Sequence, residues 1–153
     1  MPRLVNQTYA TGAGGFGEET VLKTVAFDGG VGSGAVGTVA LFTIAGTVLL
    51  RLVCVCTETL VEGVGGGTIE VGIAGATANI IAQTVSANIA AGEIWHDATP
   101  DAEIENLTVM AERVVADGND VFATVAGQDV TDGTLVFRAF WTPVTHGALV
   151  IAA

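Results

Sequence analysis

Residues 46–60 read Gly-Thr-Val-Leu-Leu-Arg-Leu-Val-Cys-Val-Cys-Thr-Glu-Thr-Leu, the longest apolar β-type run in the chain. Side chains alternate across a strand. Val48, Leu50, Leu52, Cys54 and Cys56 therefore share one face, and Leu49, Arg51, Val53 and Val55 share the other. Both faces are apolar, which predicts a central strand covered on both sides. Arg51 is the discordant residue. Burying its charge unpaired is expensive, so the sequence predicts a partner, either a carboxylate such as Glu70 or backbone carbonyls. The other solution is a place at a subunit interface.

Outward from this run the chain reads as short strands. Thr20–Phe27 precedes a glycine-rich loop over 28–37. Thr38–Ile44 follows, and Ala45-Gly46 turns into the central strand. After a loop at 61–67 come Thr68–Ile73 and Asn79–Val85, then a turn or short helical piece at 86–92. The acidic stretch Glu93–Glu105 contains Pro100, which argues against a continuous central strand there. Leu107–Val115, Val121–Val125, Thr134–Trp141 and Ala148–Ala153 are the remaining strands, separated by turns at 117–120 and at Asp132-Gly133. Eight to ten short strands at regular spacing predict an all-β, single-domain antiparallel sandwich, jelly-roll-like. Residues 1–19 carry little periodicity and include Thr-Gly-Ala-Gly-Gly-Phe-Gly at 11–17. They read as a flexible glycine-rich arm ahead of a sandwich domain at 20–153.

Composition agrees. The chain has 153 residues, enough to bury a full core. Half of them are apolar and 21 are glycine, a mixture that favours strands and turns over helices. Five Lys and Arg against 16 Asp and Glu leave a net charge of −11, which argues against nucleic acid and anionic membranes as partners. The 18 residues Val39–Cys56 reach the minimum length of a membrane span, but Arg51 and Gly46 interrupt them and no basic cluster flanks them. No secretory signal is visible in Met1–Ala10.

The chemical motifs are weak. Gly32–Gly37 and Gly12–Gly17 both match G-x-G-x-x-G, yet the first runs into a β-type segment, not the helix a dinucleotide site needs. Cys54 and Cys56 read as small core residues. His96-Asp97 and His146 have no serine in a nucleophile motif to serve. Asp97, Asp101, Glu103 and Glu105, or Asp117, Asn119 and Asp120, are potential calcium ligands without a complete EF-hand spacing. The reading is therefore no catalytic residue, no cofactor and no metal. Asn6-Gln7-Thr8 and Asn106-Leu107-Thr108 are glycosylation sequons that matter only in a secretory pathway.

Three blocks, Gly37–Leu52, Ile80–Thr84 and Glu93–Pro100, together with the ending Phe137–Trp141, resemble small virion structural proteins of tailed bacteriophages. The resemblance is greatest to capsid decoration (head cement) proteins. It implies a non-enzymatic protein, commonly trimeric, made in the host cytoplasm and bound to the major capsid protein on the outer capsid surface. Tyr9, Phe16, Arg51, Trp95, His96 and Trp141 are the candidate capsid or subunit contacts. The alternative is a tail or head-fibre domain that binds a host glycan on an aromatic platform built from Trp95 and Trp141.

Overall fold

The computed structural model describes residues 18–106, 108 and 110–153. The expected arm, with Tyr9, Phe16 and the Gly12–Gly17 motif, lies almost wholly outside them. Ten strands follow in order: β1 (Glu19–Ala26), β2 (Gly37–Ala45), β3 (Val48–Glu62), β4 (Thr68–Ile73), β5 (Ala76–Val85), β6 (Ile94–Trp95), β7 (Arg113–Val115), β8 (Val121–Ala126), β9 (Val130–Pro143) and β10 (Leu149–Ala152). Among the described residues a single 3-10 turn, Ser86–Asn88, interrupts them. All pairings between strands are antiparallel.

The strands form two five-stranded sheets. Sheet I runs β1-β9-β3, with β6 and β7 both on the far edge of β3. Sheet II runs β10-β2-β8-β4-β5. The expected all-β sandwich is what the chain adopts. The 18-residue apolar run divides into β2 and β3 at the turn, where Gly46 takes φ 73°, a left-handed conformation that glycine tolerates. No helix among the described residues is long and apolar enough to cross a membrane.

The core lies between the sheets. Sheet I contributes Val48, Leu50, Leu52, Cys54 and Cys56 from β3, and Leu135, Phe137 and Ala139 from β9. Sheet II answers with Val39, Ile44, Ile69, Val71, Ala123 and Val125. Leu41 and Phe42 are consecutive yet both fully buried. A bulge between Ala40 and Phe42, where β2 slips against β8, turns both toward the interior.

Polar contacts tie the sides of the sandwich. The Lys23 ammonium donates to the Ala153 carbonyl, joining β1 to the chain beyond β10. At the other side Arg113 Nε donates to the Asn79 carbonyl at 2.6 Å, joining β7 to β5.

The structure corrects several expectations. β3 is central within its sheet but covered on one face only: Leu49, Arg51, Val53 and Val55 are half-buried, not core. Asp132-Gly133 is not a turn but lies inside β9, which starts at Val130. Gly133 has φ 106°, and a Cβ there would lie 2.6 Å from the Thr59 carbonyl oxygen, so the position takes a glycine because β3 passes too close. Asp-Gly has turn composition, but here it serves a kink within a long strand. Of the expected strand 107–115, only Arg113–Val115 pairs with β3 among the described residues.

Candidate functional site

Three places hold the residues singled out in the sequence. The first is the loop after β6. Trp95 is fully buried, edge-on to Phe137 with ring centroids 6.3 Å apart. Its Nε1–H donates to Thr84 Oγ1 at 2.8 Å, and that hydroxyl donates to the Asp97 carbonyl at 2.9 Å. An indole-to-hydroxyl-to-backbone relay therefore pins the loop to β5. Paired backbone bonds between Ile94 and Asp101, of 2.7 and 3.0 Å, close the loop at its base.

His96 is buried at this loop, its side chain 4% exposed. Asp97 Oδ2 lies 3.3 Å from Nδ1, and Glu105 Oε2 approaches Nε2. Carboxylates thus face both ring nitrogens, though neither contact has hydrogen-bond geometry. Burial pushes the Asp97 carboxyl up, but the Thr99 amide and hydroxyl, each at 2.7 Å, together with His96, hold it below its ordinary value. Sequence reasoning singled out His96-Asp97 and grouped Glu105 with Asp97 only as a potential calcium ligand. It missed Glu105 as a neighbour of His96, because only the returning loop brings it there.

The second place is a cleft of about 380 Å³ between the start of β1 and the β9–β10 connection, lined by Glu19, Trp141, His146 and Ala148 among others. Trp141 shows 8% of its surface there. Trp95 and Trp141 therefore do not form the exposed aromatic platform that glycan binding needs: both are wall residues of the sandwich.

The third place is the outer face of sheet I. Leu22, Phe140, Val136, Leu49, Val53 and Val55 share it by register. Arg51 lies opposite Phe140, and Arg138 opposite Val53. The Arg51 guanidinium stands 4.9 Å from the centroid of the Phe140 ring. Its partner is this aromatic face. Glu70 is not the partner, because Glu70 projects from β4 in the other sheet. Arg51 Nε is buried with no hydrogen-bond acceptor, which also corrects the expectation of backbone carbonyls. Leu22 is 43% exposed and Val114, on β7 opposite Leu49, 66%.

The other motifs resolve into structural roles. Gly32–Gly37 leads into β2, not into a helix. The Cys54 thiol is pushed well up by burial and that of Cys56 is raised by the same cause, so neither thiol is primed for reaction. Asp117 accepts the Gly46 amide at 2.8 Å and Asp120 the Ile44 amide at 2.9 Å, tying the β7–β8 turn to the β2–β3 turn. Asp101 accepts the amide of Glu103 at 2.7 Å. Among the described residues no three His, Cys, Asp or Glu side chains converge on a metal-sized site.

No family model and no curated protein matches the chain. One solved structure is similar in fold, the acidic stable capsid structure of Helicobacter pylori bacteriophage KHP30. The match has 8% sequence identity and a TM-score of 0.46, over 87% of this chain and 97% of that one. A likeness at that level leaves function to be argued from the chain itself.

Proposed function

We propose that this chain is a non-enzymatic structural protein of a phage virion, one that decorates the assembled capsid and stabilises it. The observation that carries the reading is the outer face of sheet I: a half-exposed, mostly apolar sheet surface bearing two arginines without carboxylate partners among the described residues. Such a surface suits attachment to other proteins. The sequence resemblance supports the same reading, and its longest block, Gly37–Leu52, spans β2 and the start of β3, which contributes Leu49 and Arg51 to that face.

The physics of such a role is mass action. A protein that binds only the assembled lattice lowers the free energy of the assembled state and opposes its rupture. Three-fold association, the oligomer we propose, would make modest contacts cumulative. The partner is then the major capsid protein, and the location the outer capsid surface.

The test is co-sedimentation of purified protein with empty capsids of the encoding phage, followed by thermal rupture of those capsids with and without it. Saturable binding and a higher rupture temperature are expected. Capsids that neither bind the protein nor gain heat resistance would overturn the reading.

A further inference from the structure

Arg51 and Arg138 are two of only five Lys and Arg residues in a chain of net charge −11. Both stand on the outer face of sheet I, diagonally placed across the β3–β9 pairing. Leu22, Val53 and Phe140 stand directly beside them on this mostly apolar face, which Thr20, Thr24 and Thr142 also share. The only ion-pair contacts among the described residues are those of His96, so neither arginine is neutralised by a neighbour. Glu58 shares the face but is occupied by the Thr134 hydroxyl at 3.0 Å. It stands four residues from Arg138 along β9, about 13 Å away. Glu112 precedes β7 at the edge beside Arg51 and makes no ion pair with it. The Nε of Arg51 is buried and lacks an acceptor.

We propose that this face docks onto a different protein whose surface presents two carboxylates set in an apolar patch, one for Arg51 and one for Arg138. The inference rests on the functional reading above and names the chemistry of the partner surface. The guanidinium fork matches a carboxylate with two parallel hydrogen bonds. The apolar surround would exclude water from those pairs and strengthen them.

Two other occupants fit less well. A second copy packed two-fold on the same face would set two arginine-bearing surfaces against each other, and each copy carries the same net negative charge. Residues 1–17 contain no Asp or Glu, so that segment supplies no carboxylate to either arginine.

The experiment is binding of the full chain to empty capsids of the encoding phage, comparing wild type with Arg138→Gln, Arg51→Gln/Arg138→Gln and Lys23→Gln at rising salt. Arg138 is exposed, so its replacement leaves the fold intact, and a thermal melt of each variant verifies this. We expect about a 10-fold loss for Arg138→Gln and about a 100-fold loss for the double variant, with Lys23→Gln unchanged. If wild type binds and both arginine variants bind as tightly, the inference falls while the functional reading stands. If wild type does not bind, the functional reading falls and takes the inference with it. A concentration-dependent dimer of the free protein that Arg138→Gln abolishes would make a second copy the occupant and overturn the proposal.

Discussion

Along β3, adjacent side chains meet opposite fates. Leu50, Leu52 and Cys54 are sealed between the sheets, while Leu49, Arg51, Val53 and Val55 stay half-open on the outside. The two rows differ little in hydrophobicity, and the arginine is the only charge. What separates them is what lies opposite. The inner row faces sheet II, and the outer row has no layer of the described residues over it. An apolar face therefore does not by itself imply a core. The inner row holds the fold together, and the outer row is left available for attachment.

That contrast can be broken by substitution. Phe137→Ala, on the inner face of β9, should cost about 3–5 kcal/mol in chemical denaturation. Val53→Ala, on the outer face of the neighbouring strand, should cost less than about 1 kcal/mol, because its site is half-open and leaves little cavity. Equal losses at the two positions would mean that the outer row is covered after all.

Gly133→Ala tests the close approach of β9 to β3. Its φ of 106° and the Thr59 carbonyl 2.6 Å from a new Cβ predict a loss of about 1–3 kcal/mol. Trp95→Phe keeps the ring but removes the donor to Thr84, and should cost about 1–2 kcal/mol with weaker amide protection in the 96–101 loop. On the outer face, Phe140→Leu removes the ring beneath Arg51 and should cost about 0.5–1 kcal/mol.

The smallest expected effect concerns acid. The Asp97 carboxyl is held below its ordinary value, so it contributes stability above the unfolded-state value, near pH 4. That contribution is lost as the pH falls through the lower folded-state value. Asp97→Asn should lower stability slightly at neutral pH and converge with wild type below about pH 4, which flattens the acid limb of a stability-against-pH curve. An identical acid limb in the two proteins would remove Asp97 from the account.

Local signals carried most of the strand pattern. Alternation over Thr68–Ile73 and Thr134–Trp141 located β4 and most of β9, and Gly46 marked the turn between β2 and β3. The composition of Asp132-Gly133 misled, because turn chemistry is a local preference and the constraint on Gly133 comes from β3, some 70 residues away in sequence. At the loop after β6, His96 and Asp97 were legible as neighbours. Glu105 reaches them only through the bridge between Ile94 and Asp101.

By itself, the sequence determined that the chain is all-β, that residues 48–60 form a long strand, and that Arg51 breaks its apolar run. Those follow from period-two alternation and turn residues, which act over a few neighbours. Which face of that strand became the core was decided only by the tertiary structure. Burial depends on what packs against a face, and sheet II packs against one side of β3 alone.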